Sequence, residues 1–211
     1  MDIITTLLLA LAAFGLASIP FSLIIGRLFL HKDIREYGDG NPGAYNVFKA
    51  GGQKTGYLAV ALDVGKGVPF VFLAHAMFDL SGARLVIVAV SAVLGHAFTP
   101  FLGWRGGKAV AVTFGVLLAL PRHELLLAFI AFTVMGFLFI EADAWTVMCG
   151  AAGTLAYIAI TKGGSWETLL MLCILIVFGI KQFDDLHSLP GFKGRLVRWL
   201  QALVRGTLSI I

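Results

Sequence analysis

The stretch "IITTLLLALAAFGLASIPFSLIIGRLFL", residues 3–30, decides the class of fold. Arg27 is the only charged side chain within it. A bilayer is crossed by about 20 predominantly apolar residues, so the run is long enough to span one. It lacks the basic n-region and short apolar h-region of a cleavable signal peptide. We therefore predict that it is a retained transmembrane helix.

The composition of the whole chain agrees with a membrane protein. Of its 211 residues, 59% are hydrophobic and 13% are charged, and the mean hydropathy is +0.92. Twelve acidic and sixteen basic side chains cannot cover the surface of a soluble domain with this apolar content. We predict one all-α polytopic membrane domain over residues 1–211. Cys149 and Cys173 lie in apolar stretches and are expected to pack as small buried side chains.

Apolar runs along the chain predict about seven transmembrane helices. The predicted segments are residues 3–30, 55–78, 84–99, 108–120, 123–140, 144–161 and 167–182. The fourth is the weakest because Pro121 follows it closely and the next apolar run begins almost at once. A helical hairpin, a re-entrant segment and one kinked span all fit residues 108–140.

Basic residues predict how the chain is oriented. With the N-terminus outside and the C-terminus in the cytoplasm, only Arg84, Arg122 and Lys162 of the sixteen Lys and Arg residues lie outside. The positive-inside rule favours this arrangement. The tail, residues 190–211, alternates basic and apolar residues at helical spacing. It is typical of an amphipathic cytoplasmic helix at the membrane surface, although a solvated end also fits.

A polar loop, residues 31–54, follows the first helix and contains "YGDGNPGAYN" from Tyr37 to Asn46. Its glycines permit turns that direct several N–H groups to one point, and Arg35 and Lys49 add positive charge. Such a loop would bind phosphate or carboxylate. A Gly/Pro-rich segment is also often only a connection.

A second candidate loop, residues 100–108, precedes the fourth predicted helix. Gly106 and Gly107 lead into Lys108 at the start of that helix, in "GWRGGKAVAVTFG". Free N–H groups at a helix N-terminus together with a lysine predict a second anion-binding loop on the same membrane face. The spacing is not that of a Walker A loop, which disfavours nucleotide hydrolysis.

Three further polar residues are predicted to lie at membrane depth. Asp63 and Lys66, in "LDVGKG", share one helix face and form either a functional pair or a structural ion pair. His96, in "LGHAF", either packs in the core or lines a site. The sequence contains no HxxxH or HExxH motif, so we expect no metal and no cofactor.

Four ordered segments resemble one known family. They are "SIPFSLIIGR", "DIREYGDGNPGAYNVFKAGGQKTGY", "LDVGKG" and "LGHAFTPFLGWRGGKAVAV", and they span roughly residues 18–120. They resemble the bacterial integral-membrane acyl phosphate:glycerol-3-phosphate acyltransferases. The resemblance implies a seven-helix enzyme that moves a fatty acyl group from acyl phosphate to the sn-1 hydroxyl of glycerol 3-phosphate. The products are 1-acylglycerol 3-phosphate and phosphate.

The resemblance also implies the site residues. The implied catalytic residues are Asp39, Lys108, Gln182 and Asp185. The implied phosphate-binding residues are Arg35, Gly40, Asn41, Gly43, Asn46, Lys49, Gly106 and Gly107. Asp63, Lys66 and His96 would support the site from membrane depth. The expected partners are acyl phosphate, glycerol 3-phosphate and membrane lipids, with no nucleic acid, and the expected location is the bacterial cytoplasmic membrane with the site facing the cytoplasm.

Several of these positions depart from the family pattern. The substitutions are Asp39 for serine, Lys49 for arginine, Val112 for threonine beside Thr113, and Gln182 and Asp185 for histidine and asparagine. A carboxylate in a phosphate site repels its ligand unless it is protonated or paired, for instance with Lys49 or Arg35. The substitutions therefore leave open a catalytically silent or substrate-altered relative that binds acyl phosphate or a phospholipid precursor. Asp63, Lys66 and His96 at membrane depth leave open a small transporter of anions.

Overall fold

A computed structural model describes residues 3–187 and residue 191, and this part of the chain is all-helical. Short 3-10 turns occupy Ile34–Glu36 and Pro100–Leu102. The α-helices are α1 (Ile3–Ser18), α2 (Phe21–Leu30), α3 (Ala44–Lys49), α4 (Gln53–Gly65), α5 (Pro69–Ala76), α6 (Gly82–Ala97), α7 (Val110–Ala119), α8 (His123–Phe139), α9 (Asp143–Lys162), α10 (Trp166–Lys181) and α11 (Phe183–Leu186). The last five predicted segments match α6 to α10 to within two residues at each end.

Prolines divide each of the first two predicted helices into two. Pro20 separates α1 from α2, and Pro69 begins α5 after a break at residues 66–68. Proline has no N–H for the helical ladder, and its ring clashes with the preceding turn. The expectation of unbroken helices over residues 3–30 and 55–78 is therefore wrong. Each pair of pieces still forms one apolar segment long enough to cross a membrane.

Four segments of the described chain are long and apolar enough to span a bilayer. They are Ile3–Leu30, Gln53–Ala76, Gly82–Leu102 and Asp143–Lys162. Helices α7 and α8 are apolar but shorter. They are separate helices joined at residues 120–122. The described part of the chain is thus all-helical, with helices of the length and composition of a membrane protein.

Small residues let pairs of helices approach closely. Gly95 on α6 lies against α1, and an added methyl group there would overlap the carbonyl of Phe14. Gly115 on α7 lies in the same way against the carbonyl of Val64 on α4. Membrane helices gain little by leaving apolar lipid, so they associate largely through such close packing. These contacts fix α1 against α6 and α4 against α7.

Helix α10 packs against α6 and α9. The buried face of α10 carries Leu170, Ile174 and Phe178, and the Phe178 ring lies 6.3 Å from the Phe129 ring of α8, centroid to centroid, in a tilted arrangement. The last turn of α10 lies beside the loop that precedes α7, because Lys181 on that turn donates to the Gly106 carbonyl. The predicted amphipathic tail, residues 190–211, lies outside the described residues apart from Gly191.

Candidate active site

A cavity of about 860 Å³ lies between the two predicted anion-binding loops and the C-terminal end of α10. Its polar lining includes Asp39, Asn41, Lys108, Gln182, Asp184 and Asp185. Its apolar lining includes Val60, Val64, Val110, Phe114 and Val147. A cavity with both linings suits a ligand that joins a polar head to a long apolar chain.

Three charged side chains meet at the wall of this cavity, and we call them the Lys108 cluster. Lys108 Nζ lies 2.8 Å from Asp39 Oδ2 and 2.7 Å from Asp185 Oδ2. Asp39 belongs to the first loop, Lys108 precedes α7, and Asp185 lies in α11. The fold therefore joins three residues that the sequence separates widely. All three were predicted as catalytic, and Gln182 lines the same cavity.

Both partners of the Asp39–Lys108 contact are ionised at neutral pH. Partial burial alone would raise the pKa of Asp39, but hydrogen bonds from Lys108, the Asn41 N–H and Asn46 outweigh burial, so its pKa lies below its ordinary value. Burial alone would lower the pKa of Lys108, but hydrogen bonds to Asp185 and Asp39 raise it above its ordinary value. Asp39 Oδ1 accepts from Asn46 Nδ2 at 2.9 Å and from the Asn41 N–H at 3.1 Å.

Arg35 and Lys49, the two nearby cations considered as partners of Asp39, contact other residues. Arg35 lies 2.6 Å from Asp33 Oδ2, and its hydrogen bonds hold the pKa of Asp33 well below its usual range. The Lys49 ammonium lies over the Tyr45 ring, 5.3 Å from its centroid. Neither Arg35 nor Lys49 lines the cavity. Asp39 is thus paired, as the sequence requires of a carboxylate in a phosphate site, but its partner is Lys108 and neither Arg35 nor Lys49.

Glycines of the first loop form turns rather than a set of free N–H groups. The Gly40 N–H donates to the Tyr37 carbonyl at 3.1 Å, with φ at +73°, and the Gly43 N–H donates to the Asn41 carbonyl at 2.8 Å. Asn41 and Gly43 line the cavity, whereas Gly40 does not. The loop thus presents side chains to the cavity, and the N–H groups of these two glycines are already paired.

The second loop is also built differently from the expectation. The Gly106 N–H donates to the Ala97 carbonyl and the Gly107 N–H to the His96 carbonyl, each at 3.1 Å. An added methyl group on Gly107 would overlap the His96 ring. The two glycines are needed because the loop lies directly on the end of α6. The N–H groups of these two glycines are therefore engaged, while Lys108 and the start of α7 line the cavity.

The departure at Val112 does not alter the cavity wall directly. Val112 is fully buried, and the adjacent Thr113 donates its hydroxyl to the Ala109 carbonyl at 2.8 Å. Neither residue lines the cavity. Thr113 therefore does not replace the threonine that the resemblance implied.

Asp63, Lys66 and Ser22 form a second polar group, which we call the buried network. Lys66 Nζ lies 2.8 Å from Asp63 Oδ1 and donates to the Ile19 carbonyl, also at 2.8 Å. Ser22 Oγ donates to Asp63 Oδ2 at 2.5 Å. His96 Nδ1 lies 3.9 Å from Asp63 Oδ1. The network therefore ties the break between α1 and α2 to the end of α4, while Asp63 and His96 also reach the large cavity.

Sequence reasoning missed three charged residues near the cavity. Lys181 donates to the Gly106 carbonyl at 3.0 Å, and Asp143 and Asp184 line the cavity. Lys181 and Asp184 belong to the same "KQFDDL" stretch as Gln182, so proximity to a suspected site residue was a usable signal. Asp143 opens α9 as an ordinary acidic residue of the first helical turn, and nothing in the sequence distinguishes it.

Comparisons with known proteins agree on one family. A family model described as glycerol-3-phosphate acyltransferase matches residues 7–189. A glycerol-3-phosphate acyltransferase of Listeria monocytogenes serovar 1/2a is 36% identical over 186 residues, covering 84% of this chain and 88% of that protein. A glycerol-3-phosphate acyltransferase of Neisseria meningitidis serogroup C is 32% identical over 184 residues, covering 86% and 92%.

A solved structure matches the fold as well. The crystal structure of PlsY (YgiH), described as an integral membrane glycerol 3-phosphate acyltransferase in its glycerol 3-phosphate form, superposes with a TM-score of 0.77. Its sequence is 25% identical, and the match covers 96% of this chain and 93% of that chain.

Proposed function

The chain belongs to the glycerol-3-phosphate acyltransferase family, and from that premise we propose the reaction that it carries out. It transfers a fatty acyl group from acyl phosphate to the sn-1 hydroxyl of glycerol 3-phosphate, as a step of phospholipid synthesis. The supporting observation is that Lys108 lies on a cavity of about 860 Å³ that also has an extensive apolar lining. That combination suits substrates that carry phosphate and, in one case, a long acyl chain.

The reaction requires the protein mainly to position the two substrates and to stabilise the charge that develops on the phosphate. Acyl phosphate is already activated, so the glycerol hydroxyl oxygen attacks the acyl carbonyl carbon directly. The bond from that carbon to the phosphate oxygen breaks, and the hydroxyl proton leaves with the phosphate. Lys108 would neutralise charge on the phosphate as it departs, and the cavity would hold the two substrates together. No side-chain nucleophile is required.

We propose seven membrane crossings, with the N-terminus outside and the cavity facing the cytoplasm of a bacterial inner membrane. Support comes from two charged groups at opposite ends of α10. At its N-terminal end, Glu167 lies 3.5 Å from Arg122 and 3.7 Å from Lys162. The Lys108 cluster lies at its other end, near Lys181. Since the positive-inside rule places most basic residues in the cytoplasm, the end with the Lys108 cluster is cytoplasmic.

An assay of the purified, detergent-solubilised protein tests the reaction. Radiolabelled glycerol 3-phosphate and palmitoyl phosphate should yield labelled 1-acylglycerol 3-phosphate. In Lys108→Ala the rate should fall by about 10²- to 10³-fold, the usual loss when a group that stabilises developing charge is removed. Lys54→Ala is the matched control, because Lys54 is an exposed lysine of the neighbouring α4 that does not line the cavity.

Two outcomes would contradict this proposal. An unchanged rate in Lys108→Ala would show that the reaction does not take place at this cavity. Failure of the wild-type protein to form product, despite measurable binding of acyl phosphate, would favour a catalytically silent member of the family.

A further inference from the structure

The lining of the cavity carries more negative than positive charge. Its acidic members are Asp39, Asp143, Asp184 and Asp185, together with Asp63, which is paired with Lys66, while Lys108 is the one lysine or arginine among the described lining residues. The proposed function nevertheless requires the cavity to bind phosphate. Like charges in one site repel each other, so an anionic ligand needs a specific way to reach a cation there.

The ammonium group of Lys108 is already engaged on two sides. Carboxylate oxygens lie 2.8 Å and 2.7 Å from Nζ, from Asp39 and Asp185 respectively. An ammonium has three N–H donors, so two of them are taken. A phosphate that reached Lys108 with both carboxylates in place would add its charge to a group that is already negative overall.

The geometry of the cluster permits an exchange of partners. The Lys108, Asp39 and Asp185 side chains are 27%, 32% and 46% exposed, so a freed carboxylate can be solvated by water. Asp185 lies on the four-residue helix α11. Lys108 is on a loop, and its long side chain can move toward a ligand without moving the backbone. Contacts of this half-exposed kind contribute less than about 1 kcal/mol and are readily replaced.

We propose that Asp39 and Asp185 are counter-ions of Lys108 that the substrate phosphate replaces. They set how tightly the cavity binds phosphate and take no part in making or breaking bonds. The identity of the ligand as a phosphate rests on the proposed function, whereas the exchange itself rests on the geometry of the Lys108 cluster. The two residues are thus specificity-determining rather than catalytic, which revises the role predicted from the sequence.

Direct binding measurements test the exchange. Inorganic phosphate and glycerol 3-phosphate are titrated into the purified full-length protein in detergent by calorimetry, for wild type, Asp39→Asn and Asp185→Asn. Removing one negative charge a few ångströms from the ligand should tighten binding by about tenfold in each variant. Asp33→Asn is the control, because Asp33 belongs to the same loop as Asp39, is paired with Arg35 and does not line the cavity. The affinity of this variant for phosphate should equal that of the wild type.

Steady-state kinetics separate this role from a structural one. The Asp39→Asn and Asp185→Asn variants should lower KM for glycerol 3-phosphate while kcat changes little, because only ground-state repulsion is removed. Asp39→Ser removes the same charge with a smaller side chain and should agree with Asp39→Asn. Melting temperatures identify any variant that fails to fold, and the other position then supplies the test.

Unchanged or weaker phosphate binding in folded variants at both positions would overturn the inference, since the carboxylates would then be holding Lys108 in place for the ligand. The outcome is independent of turnover. Tighter phosphate binding in the variants, with no acyl transfer by the wild type, would uphold the exchange while refuting the proposed function. Acyl transfer by the wild type, with no tighter phosphate binding in the variants, would uphold the proposed function and refute the exchange.

Discussion

Within the described part of the chain, two lysine–aspartate contacts of the same length lie in very different surroundings. In the buried network, Lys66 and Asp63 lie 2.8 Å apart, and both side chains are 2% exposed. In the Lys108 cluster, Lys108 and Asp39 also lie 2.8 Å apart, but they are 27% and 32% exposed. The two contacts therefore differ in their access to water and not in their length, and access to water is what allows an ion pair to exchange with a ligand.

Because it is buried, the Lys66–Asp63 contact is costly to break. Removing one partner of a buried pair leaves an uncompensated charge in a low dielectric, whereas a half-exposed charge that loses its partner is solvated. The buried pair is also tied by hydrogen bonds to Ser22 and to the Ile19 carbonyl. The two regions should therefore respond oppositely to substitution: the buried network through stability, and the Lys108 cluster through ligand affinity.

The largest effect is expected for Lys66→Met. The variant should lose about 3–5 kcal/mol of stability, because the Asp63 carboxylate is left buried without its cation. For a chain of this length the melting temperature in detergent should fall by roughly 10 °C. The double variant Lys66→Met with Asp63→Asn removes both charges and should recover much of that loss. A melting temperature unchanged in Lys66→Met would show that the buried network does not stabilise the fold.

An intermediate effect is expected where the two regions meet, at Gly107. A methyl group there overlaps the buried His96 ring, so the loop must shift and carry Lys108 with it. Displacing such a group by about 1 Å costs up to about 100-fold in rate, so kcat/KM should fall about ten- to hundredfold in Gly107→Ala. Gly65→Ala is the control, because an added methyl group at Gly65 meets no atom within 4 Å. Equal activity in the two variants would mean that the loop tolerates the shift.

The smallest effect concerns the pH dependence of the Asp39 contact. Because its pKa is lowered in the folded protein, its contribution is complete above the ordinary value of 3.8 and disappears as the pH falls through the lower folded value. The wild type should exceed Asp39→Asn in stability by less than about 1 kcal/mol, constant between pH 5 and pH 8. Melting temperatures measured against pH check this. A difference that varies within that range would show that Asp39 titrates there.

Much of the fold was predictable because apolar runs map directly onto helices in a membrane. Helices α6 to α10 lie close to the predicted segments. The failures at Pro20 and at residues 66–68 have one cause: hydropathy measures apolar length but is insensitive to a break inside an apolar run. The breaks matter for function, since the buried network is assembled around the one that separates α1 from α2.

The residues that meet at the cavity were easier to predict than the contacts between them, and their roles stay predictions. The sequence identified Asp39, Lys108 and Asp185, and the structure brings them together. The sequence left the partner of Asp39 open, because the nearby Arg35 and Lys49 are only examples of a cation that could pair with it. Both contact other residues, and the partner, Lys108, comes from a distant segment. Local composition also cannot show that the N–H groups of Gly106 and Gly107 are bonded, because their acceptors lie on α6.

Hydropathy and residue order along the chain were enough to predict a helical membrane protein and, through four ordered motifs, its family. They could not predict which cation meets which carboxylate, or that the Lys66–Asp63 contact is closed to water whereas the two contacts of Lys108 are not. These depend on side chains as far apart in sequence as Lys108 and Asp185, which only the packing of α10 beside the loop before α7 brings within 2.7 Å.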